Sequence, residues 1–216
     1  MDKYLPILSI ETSASLCSVA LLLSADDYVE LNFEKKHIHA EKIFTAIEQL
    51  FQISNTSIKD ISSIAISMGP GSFTGLRIGM SVAKGLAFGR DIPIIPVPTF
   101  EAFAYQICHF IQDKTEFYII NDANIDEYYI GKFSKTRESY KIKIQPKLIK
   151  KDSLNKFKKI NSLAFGNFNK EVKSIANPNA IYIAKWAYIF GKKLLTLQYD
   201  FLEPLYIKQF IPRAKK

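Results

Sequence analysis

Ile61-Ser-Ser-Ile-Ala-Ile-Ser-Met-Gly-Pro-Gly-Ser-Phe-Thr-Gly-Leu-Arg-Ile-Gly-Met80 is the stretch on which the fold turns. Residues 61–67 read as a short buried strand and residues 76–88 as a helix rich in small side chains. Gly69, Gly71 and Gly75 lie where one hands over to the other, and glycine there permits positive φ and close backbone approach. A helix N-terminus at such a turn attracts anions, so phosphate binding is the first chemistry to test. The spacing rejects the familiar loops: no Lys-Ser/Thr pair follows Gly75, and the pattern is GxGxxxG where a dinucleotide fingerprint has GxGxxG. A nucleophile elbow is rejected too, because Ser72 has Pro70 and Thr74 where that motif needs glycines. Packing is the favoured reading: Gly79, Ala83, Ala87 and the nearby Gly85 keep the helix narrow, and each interior glycine costs about 1 kcal/mol that contacts must offset.

Working outward, residues 5–10 and 17–23 form an expected hairpin across the polar turn Glu11-Thr-Ser-Ala-Ser15. Residues 28–35 alternate polar and apolar as a half-exposed strand does. From 39 to 51 an amphipathic helix carries Ile43, Ile47 and Leu50, its stripe widened by Phe44 and Phe51. Pro93, Pro96 and Pro98 punctuate a further strand. The order βββαβα plus a strand predicts an α/β unit over 1–99. A second unit, 100–216, is expected to hold a helix at 100–111, strands at 116–122, 126–133, 140–144 and 162–166, and a helix over 178–195 with Ile181, Ala184, Tyr188 and Leu195 inward. An extended segment, 202–207, is expected to follow.

A chain of 216 residues, 48% of them hydrophobic, can bury a sizeable core. The net charge of +8 is uneven: residues 1–100 hold 8 Lys+Arg against 10 Asp+Glu, and residues 101–216 hold 21 against 11. The densest basic run extends from Lys141 to Lys159, which reads either as a footprint for RNA phosphates or as a solvated lysine-rich face. Cys17 and Cys108 read as buried free thiols, and His37, His39 and His109 have no ligand spacing, so no structural metal is expected. No apolar run reaches the roughly 20 residues of a membrane helix, and no secretory signal is evident, which predicts a cytoplasmic protein.

The run from Met68 to Met80, continuing Ser-Val-Ala-Lys-Gly-Leu-Ala-Phe88, resembles the signature of the TsaB family, also called YeaZ. Ile7-Leu-Ser-Ile-Glu-Thr-Ser13, His39-Ala-Glu41, Asn121-Asp-Ala123, Asp126-Glu-Tyr-Tyr129 and Glu203-Pro-Leu-Tyr-Ile-Lys208 agree in order, so the resemblance spans nearly the whole chain. It implies an actin-like ATPase (ASKHA) fold of two lobes, each a mixed sheet flanked by helices, the second reduced. It further implies a non-catalytic subunit that binds the related TsaD directly, works with the ATPase TsaE through the complex, and supports threonylcarbamoyl transfer to the adenosine beside the anticodon of tRNA. A homodimer is expected when TsaD is absent, with tRNA engaged indirectly by way of the basic second lobe, and no membrane association.

No catalytic residue and no metal ligand is therefore expected. Gly69, Pro70, Gly71, Ser72, Phe73, Thr74, Gly75 and Arg77 are the family signature. The resemblance places partner binding on the two first-lobe helices, and Ile43, Ile47, Leu50, Leu76 and Met80 are the residues expected there; the alternative is that they cover their own sheet. Glu11, Thr12 and Ser13 stand where actin-like enzymes hold nucleotide phosphates, which makes them a vestigial nucleotide site or simply the bonds of a tight turn. This chain needs no cofactor of its own, and ATP, if bound, belongs to the complex. His37 and His39 are two residues apart; on a helix that turns them about 200° from each other, so the histidine pair four apart that holds the catalytic relative's metal is not reproduced. Asp122 and Asp126 read as structural carboxylates. The rival readings are an autonomous nucleotide-dependent enzyme of the same fold, such as a small kinase or ATPase, and a peptidase.

Overall fold

The computed structural model describes residues 3–34, 39–124, 126–157, 162–168, 175 and 177–207. The first sheet contains β1 (Ile7–Glu11), β2 (Leu16–Leu22), β3 (Tyr28–Glu34), β4 (Ser63–Gly69) and β5 (Ile94–Pro98) in the order β3-β2-β1-β4-β5. β1 pairs antiparallel with β2 and parallel with β4, so the sheet is mixed. The nearly unbroken burial of β1 and β4 follows from their central position: Leu8, Ile10, Ile64 and Ile66 face α1 (His39–Ser54) and α2 (Phe73–Phe88), whereas Ile7 and Ala65 face the opposite layer.

That opposite layer is made by α3 (Thr99–Ile107) and α5 (Ala180–Phe190). α5 lies far along the chain, yet its Ile181, Ala184 and Ala187 pack on the first sheet. Its N-terminus is fixed there by strand side chains: Glu30 Oε1 accepts from the Ile181 N–H at 2.8 Å, Ser18 Oγ accepts from the Ala180 N–H at 2.9 Å, and Asn179 Nδ2 donates to Glu30 Oε2 at 3.2 Å. A carboxylate at a helix start satisfies orphan amides and meets the positive end of the dipole.

β6 (Glu116–Asn124), β7 (Glu127–Lys135), β8 (Tyr140–Lys150) and β9 (Leu163–Phe165) form the second sheet, in the order β8-β7-β6-β9. Its three antiparallel strands and one parallel strand repeat the β3-β2-β1-β4 arrangement of the first, and the fifth strand has no counterpart among the described residues. Even the exits correspond, since Gly69 after β4 has φ +105° and Gly166 after β9 has φ +120°. α3 joins the two sheets. Ala102 and Tyr105 pack toward the first, and Phe100, Phe103 and Ile107 toward the second, so it is apolar all round and buried. The short α4 (Leu154–Phe157) lies over the far face of the second sheet, with Leu154 packed on the cluster of Tyr118, Ile120, Ile130 and Ile149. This is the expected actin-like fold of two mixed sheets flanked by helices.

Several element boundaries depart from expectation: α1 runs three residues past Phe51 to Ser54, and α3 stops at Ile107, four residues short of Ile111. α2 begins at Phe73, three residues early, because Ser72 caps it by accepting from the Gly75 N–H at 3.2 Å. β8 runs to Lys150 instead of stopping at Ile144, carried past Pro146 with its pairing to β7 shifted twice by bulges. α5 is confined to 180–190 and ends at Gly191, short of the expected Leu195. Segment 202–207 is extended but joins no sheet.

Candidate functional site

The signature turn is built against the loop that joins β1 to β2. Ser72 N–H donates to the Ser13 carbonyl at 2.6 Å, and Thr12 Oγ1 donates to the Gly75 carbonyl at 2.8 Å. A methyl group on Gly71 would stand 2.5 Å from the Ser13 oxygen, on Gly75 it would overlap the Thr12 oxygen, and on Gly79 it would overlap Thr12 Oγ1. The absence of side chains at these three positions is what lets α2 sit on the hairpin turn. Gly69 contributes differently: its positive φ swings the chain out of β4, and its N–H donates to Thr99 Oγ1 at 2.8 Å.

Glu11, Thr12 and Ser13 are all buried in consequence. Ser13 N–H donates to Glu11 Oε1 at 2.5 Å, while Glu11 Oε2 has no hydrogen-bond partner. Burial pushes the Glu11 carboxyl up to about 7, against the opposing bonds from Ser13. Cys17, buried in the same core, is pushed up to about 12 by burial and then by the Glu11 charge. Glu11, Thr12 and Ser13 thus form an internal polar contact between the hairpin turn and the signature turn rather than a face open to phosphates.

The five residues expected to bind a partner are corrected by the structure. Ile43, Ile47, Leu50, Leu76 and Met80 are between 0 and 4% exposed. Ile43, Ile47, Leu50 and Met80 pack in the cluster beneath α1 and α2, and Leu76 points back toward Gly69. The physical reason is that a helix lying on a sheet uses its central apolar stripe for the sheet, which leaves only the flanking residues for anything else. Here the flanks are apolar as well. Phe44 is 51% exposed, and with Phe73, Thr74, Arg77, Ile78, Ser81 and Val82 it lines an open groove of about 430 Å³ between α1 and α2. Phe44 had a sequence signal, as the residue that widened the α1 stripe; Ile78 did not stand out from the small residues around it.

The groove has a second component from the far end of the chain. Leu205 N–H donates to the Met68 carbonyl at 2.7 Å, which brings Tyr206 onto the start of α2. Arg77 Nε donates to Tyr206 Oη at 3.0 Å, the guanidinium lies 3.9 Å from the Phe73 ring centroid, and the Phe73 and Tyr206 rings are 5.0 Å apart. The signature residues Phe73 and Arg77 therefore hold the segment that carries Glu203-Pro-Leu-Tyr206 against the turn. Ser72 is exposed and serves as the α2 cap.

Elsewhere the expected residues scatter. Asp122 forms an ion pair with Lys151 at 2.8 Å, and its N–H donates to Asn167 Oδ1 at 2.6 Å, a structural use. His37 lies outside the described residues, and His39 is the first residue of α1. His109 packs edge-on to Tyr105, with its Nδ1 2.9 Å from the Tyr105 carbonyl. Both cysteines are buried and unpaired. No group of three His, Cys, Asp or Glu able to hold a metal occurs among the described residues, and no helix among them is long and apolar enough to cross a membrane.

Residues 34–199 match the family model described as TsaD: tRNA N6-adenosine threonylcarbamoyltransferase. The tRNA threonylcarbamoyladenosine biosynthesis protein TsaB of Haemophilus influenzae is 28% identical over 98% of this chain and 97% of its own length. Its namesake in Buchnera aphidicola subsp. Schizaphis graminum is 33% identical over 81% of this chain and 89% of its own length. Among solved structures, YeaZ from Pseudomonas aeruginosa superposes with a TM-score of 0.76 at 20% identity, covering 93% of this chain and 99% of that one, a likeness of fold.

Proposed function

Since the chain belongs to the TsaB family of tRNA threonylcarbamoyladenosine biosynthesis proteins, we propose that it is a non-catalytic subunit that holds a TsaD protein on the outer face of α1 and α2. The observation that carries this reading is the groove with Phe44, Phe73 and Ile78 along it, apolar surface left over beside the part of α1 and α2 that covers the sheet. Exposed apolar surface bordered by polar residues such as Thr74, Arg77 and Ser81 is the composition of a protein contact. TsaE is reached through that complex, and a second copy of the chain occupies the same face when TsaD is absent.

The non-catalytic part of the reading is supported by how Thr12, Ser13 and Ser72 are used. Thr12 is bonded to Gly75, the Ser13 carbonyl to Ser72, and the Ser72 hydroxyl to Gly75. Thr12 and Ser13 are buried, which withholds them from phosphate, and the Ser72 hydroxyl is engaged by the Gly75 N–H as the α2 cap, against what the kinase and peptidase readings require. Co-expression with the cognate TsaD protein tests the docking face. Phe44→Asp with Ile78→Asp is expected to abolish co-purification; because Ile78 also packs on the core, the single Phe44→Asp, at a position 51% exposed, is the variant expected to weaken it without lowering the melting temperature by more than a few degrees. Undiminished co-purification of a folded double variant would refute the assignment.

A further inference from the structure

β8 is an edge strand whose Lys141, Lys143 and Lys147 are exposed. Pairing with β7 sets Lys141 opposite Ser134, Ile144 opposite Lys132 and Lys147 opposite Ile130, and cross-strand partners share a face. Lys141 and Lys147 thus lie with Lys132 on the outer face of the second sheet, and Lys143 reaches that face too, 3.6 Å from Glu116. Residues 137–157 hold seven basic side chains against two acidic ones, Glu138 and Asp152. Arg137, Lys150 and Lys156 are also exposed. At about 3.3 Å per residue, the six steps from Lys141 to Lys147 span about 20 Å of strand.

Lysines on an edge strand have another ordinary use, in blocking strand addition. β8 already carries two bulges and Pro146, each of which does that work unaided. The same edge therefore has more positive charge than its protection requires. Glu116 bonds to Lys132 and Lys143, and Asp122 to Lys151, which holds those side chains in place on the face while the stretch as a whole stays positive. One Arg against six Lys in this stretch, with aromatic residues only at Tyr140 and Phe157, suits phosphate contact rather than base readout.

We propose that the Lys141, Lys143 and Lys147 face of the second sheet contacts the phosphate backbone of tRNA without reading its sequence. This rests on the reading of the chain as a component of tRNA modification and names the surface that meets the nucleic acid.

The test measures binding of labelled, unmodified tRNA to the full-length chain by fluorescence anisotropy across a salt series. Three lysine contacts are expected to contribute a slope of roughly 2–3 in log affinity against log salt. Reversing all three (K141E/K143E/K147E) is expected to weaken binding by at least about tenfold near 0.1 M salt and to flatten the slope by about that amount. Lys→Gln at the same positions should fall between. The reversal K59E/R90E/K193E makes the same change in net charge on exposed residues elsewhere and should leave most of the affinity in place. Absence of tRNA binding by the wild-type chain, equal loss in both reversals, or full affinity in K141E/K143E/K147E would each overturn the proposal. The β8 variant is expected to co-purify with TsaD as wild type does, whereas F44D/I78D should fail there, so the two readings fail separately.

Discussion

Replacing Glu11 by Gln should make the chain's stability less sensitive to pH, and the structure sets by how much. The carboxyl is fully buried, and burial raises it from 4.5 to about 7 in the folded chain. A group raised on folding adds stability that is fully present below its unfolded pKa and is lost as pH climbs through the folded one. Between about pH 4.5 and 7 the unfolded chain gives up a proton that the native chain keeps, so unfolding becomes easier as pH rises. From pH 5 to pH 8 this single group is expected to remove about 2.5 kcal/mol. Cys17, the neighbouring thiol, is pushed to about 12 and does not titrate in the window. Gln keeps an oxygen for the Ser13 N–H and carries no titratable proton, and all other groups are common to both proteins. Urea unfolding of wild type and Glu11→Gln at pH 5 and pH 8 reads the difference directly. Wild type should lose about 2.5 kcal/mol more than the variant, equivalent to roughly 5–10 °C in melting temperature for a chain of this size. Parallel losses in the two proteins would show that Glu11 ionises normally and would refute the reasoning.

Removing the α5 clamp by Glu30→Ala should cost about 2–3 kcal/mol, since a charged acceptor is lost from the Ile181 amide and the Asn179 side chain; thermal denaturation measures it, and Glu30→Gln should recover part of the loss. Gly75→Ala drives a methyl group into the Thr12 carbonyl and should destabilise by about 1–3 kcal/mol, whereas Gly85→Ala, with open space around it, should be neutral or slightly stabilising in the same assay. Calorimetry of the isolated chain with Mg-ATP should show no binding that depends on Thr12 and Ser13, because both are buried beneath the start of α2 and the Thr12 hydroxyl is already given to the Gly75 carbonyl. Micromolar binding abolished by Thr12→Ala would overturn that expectation.

The fold was legible where burial is uniform or alternation is clean. β1, β4 and β3 declare themselves in those two ways, and the glycine run marks the strand-to-helix turn. Legibility failed where a residue's role is set by something distant in sequence. Tyr206 is unremarkable locally and acquires its place from Arg77 and Phe73, 129 positions back in the case of Arg77. Likewise α5 reads as a helix of the second unit, but Ser18 and Glu30 on first-sheet strands hold its start. On α1 and α2 the apolar stripe was correctly seen and wrongly divided. A single sequence does not show which part of a broad stripe faces the sheet, and the most central residues, such as Ile43 and Met80, are the first to be consumed by it.

The two sheets repeat one topology, so comparing their equivalent ends shows what this chain has done with the frame. In open sheets of this kind ligands sit beyond the strand ends where the connections diverge, which here means beyond β1 and β4 and beyond β6 and β9. At the first end, Thr12 and Ser13 are closed over by the glycine side of α2. At the second, the Asp122 N–H bonds Asn167 Oδ1, the Asn167 N–H bonds Asn121 Oδ1, and Gly166 presses so closely on the Ile120 carbonyl that no side chain fits. At both ends these polar groups are bonded to the chain itself. What remains outward lies on other faces: an apolar groove on α1 and α2, and a row of lysines on β8. A frame whose strand ends are tied into its own backbone is stiff where a ligand site would have to open. That stiffness suits a subunit that presents surfaces, one apolar and one cationic, on lobes set by the buried α3 between them.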